Sequence, residues 1–117
     1  MPLIQLDTSF SFPDQNRKQA IAKTLSQIAA EGTGKPEQYV MTCIHDNVAM
    51  TMGGAPGPCA LVSIKAIGGL TKSANSVLAA KVSLLLQSEL NISSNRIFLT
   101  FEELEPTHWA WEGKTFG

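Results

Sequence analysis

The chain has 117 residues, a formal net charge of −1 and no run of basic residues, which removes the electrostatic case for nucleic acid or an acidic membrane as partner. Its length is that of one domain, residues 1–117, large enough to bury a core. No apolar stretch approaches the ~18 residues of a membrane span, and no charged and apolar leader of the signal-peptide kind opens the sequence.

Residues 2–7 read as a strand with a proline at its head, Met1-Pro2-Leu3-Ile4-Gln5-Leu6. A small residue after the initiator favours cleavage of Met1, which would leave Pro2 as a free secondary amine. An ordinary α-amino group titrates near pH ~7.7–8.0. Burial beside cations lowers that value, because both disfavour the ammonium form. Such an amine can accept a proton at neutral pH, as a general base must.

Pro13-Asp14 punctuates the chain, with Asp14 as the helix N-cap. A helix is predicted over 15–31, with Ile21, Leu25 and Ile28 on one face. Gly32-Thr33-Gly34 ends it. Tyr39 to Ile44 reads as a strand, and Asn47 to Met52 as a short edge strand. Gly53 to Pro58 is a loop by composition and lacks the spacing of a phosphate-binding loop. Ala60 to Lys65 is a strand closed by Gly68-Gly69. A second helix is predicted over 72–90, with an apolar face of Val77, Leu78, Lys81, Leu84, Leu85 and Leu86. Arg96 to Phe101 is the last long strand, and Trp109 to Phe116 a small hairpin around Glu112-Gly113-Lys114.

The order β-α-β, loop, β-α-β is an internal repeat. A shift of 58 positions lays Leu3 on Leu61, Gln5 on Ser63, Val40 on Phe98 and Thr42 on Thr100. One sheet face then carries Ile4, Leu6, Met41, Cys43, Val62, Ile64, Leu99 and Phe101, almost purely apolar. The other carries Leu3, Gln5, Val40, Thr42, Leu61, Ser63, Phe98 and Thr100. The expected fold is α+β, a four-stranded sheet with two helices on its purely apolar face. The mixed face is too apolar to stand in water alone, which points to an oligomer with these faces packed together.

Pro2 at a strand head, the helix exit Thr33-Gly34-Lys35-Pro36-Glu37-Gln38-Tyr39, and Gly53-Gly54…Pro58-Cys59-Ala60-Leu61 occur in order. So do Ile67-Gly68, Ile92-Ser93-Ser94-Asn95-Arg96-Ile97 and the ending Trp111…Thr115-Phe116. Together, and end to end, they resemble the family of macrophage migration inhibitory factor and its D-dopachrome tautomerase relatives, in the tautomerase superfamily. The resemblance implies two βαβ units per chain and a homotrimer closed around a central barrel of sheets, with active sites between subunits. It implies a cofactor-independent keto–enol tautomerase of small aromatic α-keto acids, an isomerase of the phenylpyruvate tautomerase kind. Pro2 takes the place of the catalytic base, Lys35 that of the carboxylate-binding lysine, and Ile67 that of the backbone donor to a substrate oxygen. Trp111 and Phe116 fall near the pocket.

The sequence departs from the mammalian pattern at three points. Phe98 replaces a tyrosine of the neighbouring subunit and can stack but not hydrogen-bond, and Thr100 replaces an asparagine. The family's Cys-x-x-Cys reads Cys59-Ala60-Leu61-Val62, without the second sulfur that thiol–disulfide turnover needs. The alternative function is a cytokine-like signalling or binding trimer with a vestigial tautomerase site, whose receptor these residues do not name.

The remaining candidates read as structural. Cys43 and Cys59 have neither metal nor redox spacing, so the expected setting is the cytoplasm with reduced thiols, or release without a signal peptide. Cys43 reads as a small buried apolar residue. His45 and His108 lack a neighbouring ligand cluster, so no metal is expected. Trp109 is expected at the pocket mouth or as an anchor of the tail.

Overall fold

Helix caps and strand pairing set the architecture of the computed structural model, which describes residues 1–117. In chain order the main elements are β1 (Pro2–Thr8), α1 (Gln15–Thr33), β2 (Met41–His45), β3 (Ala60–Ala66), α2 (Lys72–Leu90) and β4 (Ile97–Glu103). A terminal hairpin of β5 (Ala110–Trp111) and β6 (Lys114–Thr115) follows. Asp14 caps α1 by accepting from the Arg17 backbone N–H at 2.8 Å, and Thr71 caps α2 by accepting from that of Ala74 at 3.1 Å. The first helix runs to Thr33, two residues beyond the expected 15–31. Thr33 Oγ1 donates back to the Ala29 carbonyl at 2.6 Å, and Gly34, at φ 71°, is the left-handed cap.

The sheet order is β2-β1-β3-β4. β1 lies parallel to β2 and antiparallel to β3, and β3 lies parallel to β4. Both helices cover one face, so the α+β arrangement of two β-α-β units is as expected. Ile4, Leu6, Val62 and Ile64 from the sheet meet Ile21, Leu25 and Ala29 of α1 and Leu78, Val82 and Leu86 of α2. Each large side chain buried there stabilises the fold by about 1.5–3 kcal/mol.

The structure corrects four details. Tyr39 does not start β2: Glu37–Tyr39 is a 3₁₀ turn entered from Pro36, and the strand begins at Met41. Asn47 to Met52 is not an edge strand. Asn47 is left-handed at φ 57°, and the Asn47 and Val48 amides bond to the carbonyls of Phe10 and Thr8 rather than along a sheet edge. The buried stripe of α2 is Leu78, Val82, Leu86 and Leu90, while Val77 and Leu84 are exposed. Packing chose the i, i+4 row in a helix with apolar residues nearly all round.

The fourth correction inverts a strand. Leu3 pairs with Met41, but Leu61 pairs with Phe98. Thus Met41, not Val40, is the counterpart of Phe98, and the 58-position shift holds only from β1 to β3. From the N-caps Asp14 and Thr71 onward, the shift is 57. A one-residue difference moves every side chain of a strand to the other face. Met41 and Cys43 therefore lie on the open face, with Met41 67% exposed, and Thr42 and Ile44 face the helices. The buried Thr42 Oγ1 has no hydrogen-bond partner, the mark of a hydroxyl turned to an apolar layer.

Candidate active site at the head of the first strand

A proline has no N–H to give a sheet and is tolerated at the first residue of a strand. Pro2 occupies that place in β1, opposite Ala66 of β3, and is fully buried. It lies in the floor of a pocket of about 410 Å³. Three parts of the chain wall this pocket: Met1 to Leu3, the turn and strand start from Gln38 to Met41, and Trp109 to Trp111 of the hairpin. The walls are largely apolar and the mouth is aromatic, a composition suited to small ligands with a ring.

One cation approaches the floor. Lys35 follows the cap of α1 and lies across the Gly68-Gly69 turn. A β-carbon on Gly68 would stand 3.8 Å from Lys35 Nζ, and one on Gly69 would stand 2.8 Å from the Thr33 carbonyl oxygen. Both glycines have positive φ, so the turn needs glycine for its backbone and for this close approach. The same turn holds Ile67, just beyond the end of β3 and Ala66.

The α-amino group at this end of the pocket belongs to Met1, whose peptide bond makes the Pro2 nitrogen an amide. The pKa of that amine lies below its ordinary value, first because burial disfavours the ammonium and second because Lys35 repels it.

One chain brings Pro2 and Trp111 into a single pocket, with Lys35 and Ile67 at the turn beside it. It does not bring in Phe98, Thr100 or Phe116. Phe98 and Thr100 lie on the open face of β4, separated from β1 by β3, and Phe98 is 59% exposed. Phe116 pins the tail by donating its N–H to the carbonyls of Pro106 and Trp109, each at 3.1 Å, and lies outside the pocket wall. Trp109 lines the pocket. Tyr39 and Met41 do so too, and strand alternation misplaced them. The usable signal was Lys35-Pro36, since proline restricts the residue before it and favours a turn start.

No helix is long and apolar enough to cross a membrane. No group of three or more His, Cys, Asp or Glu side chains is arranged to hold a metal ion.

Comparison with known proteins agrees with this geometry. The family model for macrophage migration inhibitory factor matches residues 1–117. A macrophage migration inhibitory factor homolog of Brugia malayi is 36% identical over 117 residues, covering 100% of both chains. Macrophage migration inhibitory factor of Meriones unguiculatus is 30% identical over 116 residues, covering 99% of each chain. Among solved structures, the homologue from Prochlorococcus marinus superposes with a TM-score of 0.90 at 35% identity, covering 98% of this chain and 99% of that one. That of Toxoplasma gondii gives a TM-score of 0.90 at 31% identity, covering 97% and 99%.

Proposed function

Because the chain belongs to the macrophage migration inhibitory factor family, we propose that it is a cofactor-independent keto–enol tautomerase of small aromatic α-keto acids of the phenylpyruvate type. It works as a homotrimer with Pro2 as general base once Met1 is removed. The observation that carries this reading is the buried Pro2 in the floor of an apolar pocket, where burial and Lys35 depress the pKa of the chain's amine. Without Met1, the same burial and the same cation act on the Pro2 amine and keep it neutral, the form that accepts a proton.

The chemistry follows from the substrate's own carbonyl, which acidifies the neighbouring C–H. Lys35 attracts the carboxylate, and the Ile67 amide donates to an oxygen. Pro2 takes the proton from carbon and returns it to the enolate oxygen, so no cofactor is consumed. Tyr39 and Trp111 offer edges and faces to the substrate ring. Phe98 and Thr100 of a neighbouring copy complete the pocket wall across the subunit boundary, and Phe116 supports the hairpin.

The test is an intact-mass measurement followed by an enol–keto assay with phenylpyruvate. A chain without Met1 should tautomerise it, and Pro2→Gly should lose most of kcat while keeping its fold. Full activity in a chain shown to retain Met1 would falsify the amine-base mechanism. A Met1-free chain with no activity would favour the cytokine-like binding trimer with a vestigial site.

A further inference from the structure

The inverted phase of β2 gathers three chemically active side chains away from the pocket. Asp7 and His45 are partners in the β1–β2 register, and Cys43 precedes His45 by two residues on the same open face. His45 Nδ1 stands 3.1 Å from Asp7 Oδ1, and His45 Nε2 stands 3.8 Å from Cys43 Sγ. The second oxygen of Asp7 accepts from Gln5 Nε2 at 3.3 Å. A carboxylate can only accept, so it requires the proton of the neutral ring on Nδ1. That leaves the Nε2 lone pair facing the thiol. The order is nucleophile, base and orienting carboxylate, the arrangement that activates thiols and hydroxyls on unrelated folds. The carboxylate and the sulfur lie on opposite sides of the ring, so the three do not converge on a metal.

We infer that Cys43, His45 and Asp7 form a second reactive centre, a nucleophilic thiol that exchanges with small disulfides. His45 takes the Cys43 proton as the sulfur attacks one sulfur of the disulfide. A new S–S bond forms, the old one breaks, and the departing thiolate takes the proton from His45. One thiol and one disulfide become one mixed disulfide and one thiol, with no other reactant. No second cysteine resolves the product. Cys59 is 3% exposed, and β1 separates the strand of Cys43 from β3, which Cys59 precedes. The centre is thus an acceptor of one small thiol group and not a turnover site. It is complete within one chain and sits toward the far end of β1 from Pro2, with Asp7 and His45 about 17 Å away along the strand and Cys43, opposite Gln5, about 10 Å away. In a trimer whose open faces line a central barrel, the site admits only small molecules.

The test uses the full-length, reduced chain and dithiodipyridine, a small neutral disulfide that releases a coloured thione. One equivalent should react in a fast phase, at least ~10-fold faster than a cysteine peptide at the same pH, given what a positioned base contributes. Cys43→Ser should remove that phase. His45→Gln should return the rate to that of the free peptide, and Asp7→Asn should slow it by a smaller factor. Circular dichroism should be unchanged in each, and phenylpyruvate tautomerisation should persist, which separates this centre from Pro2. A fast phase that survives Cys43→Ser overturns the inference. So does a parent rate no greater than that of the peptide, or a folded His45→Gln chain that reacts as fast as the parent. If His45→Gln fails to fold, an Asp7→Asn rate equal to the parent's overturns it as well.

Discussion

Tyr39 and Trp111 meet edge to face, with ring centroids 5.7 Å apart and ring planes at 82°. The pair joins the 3₁₀ turn before β2 to the C-terminal hairpin across the mouth of the pocket. Such pairs contribute about 0.5–1.5 kcal/mol beyond the area they bury. Because Trp111 is half exposed, its loss should leave the core intact. Trp111→Ala should raise KM for phenylpyruvate roughly 2- to 10-fold, the same free energy expressed as affinity. Steady-state kinetics checks this, and a collapse of kcat at unchanged KM would contradict a binding role.

The pH dependence follows from the depressed amine. Burial, and then Lys35, lower its pKa in the folded chain. Between that lowered value and the unfolded value of about 7.7–8.0, the fold holds the neutral amine while the unfolded chain holds the ammonium. Stability therefore rises with pH through this window, and below it both states are protonated and the gain is absent. In the Met1-free enzyme burial and Lys35 act in the same direction on the Pro2 amine, and kcat/KM should fall as pH drops through that amine's own pKa. Lys35→Ala should move that acid limb upward, though not to the ordinary value, since burial remains. It should also weaken substrate binding by about 1.5–3 kcal/mol, the worth of a hydrogen bond to a charged group. An unmoved acid limb would show that Lys35 does not act on the amine.

Gly32 lies within α1, and a β-carbon there would run into Cδ2 and Cγ of Leu78. Leu78 is fully buried in the core between the helices. Helix propensity alone favours Gly32→Ala by about 1 kcal/mol. Overpacking opposes it by about 1–3 kcal/mol and should win, because Leu78 is fully buried and must shift within the core to make room. Chemical denaturation should show a lower midpoint, and a higher one would mean that the helices separate freely.

Assembly can be read from the open face. Met41 and Phe98 stand on it largely exposed, on the two edge strands of the sheet. Light scattering at micromolar concentration should give three times the 12.6 kDa chain mass. Phe98→Asp should shift that mass toward one chain and reduce tautomerisation without unfolding. A monodisperse parent monomer would remove the intersubunit site.

Val62 stands where a second thiol would complete a Cys-x-x-Cys with Cys59, and it faces the core with no exposure. Insulin disulfide reduction should therefore show no turnover above a free-thiol control. Turnover that persists in Cys59→Ser would mean that another dithiol is at work.

The site residues divided by distance along the chain. Pro2 drew attention by its place at a strand head, while Lys35 at a helix exit and Ile67 at a glycine turn entered the site only through resemblance. Phe98 and Thr100 were legible only through resemblance, and one chain leaves them apart from Pro2 because β3 intervenes. Tyr39 belongs to a turn that apolar alternation reads as strand, and Met41 falls on the wrong face when the 58-position shift of β1 is extended to β2.

Local chemistry by itself determined the two helices, the cap of the first, the alternation of β1, β3 and β4, and the terminal hairpin. Asp14 reaches the amide three residues on, and Ile4, Leu6, Val62 and Ile64 repeat with the period of a pleat. Only the tertiary structure decided the phase of β2. Alternation says that neighbours face opposite ways but not which way, and the choice depends on pairing Leu3 with Met41 across more than thirty intervening residues. That one register turned Thr42 to the helices and set Cys43 beside His45 and Asp7, an arrangement no local pattern of apolar and polar residues contains.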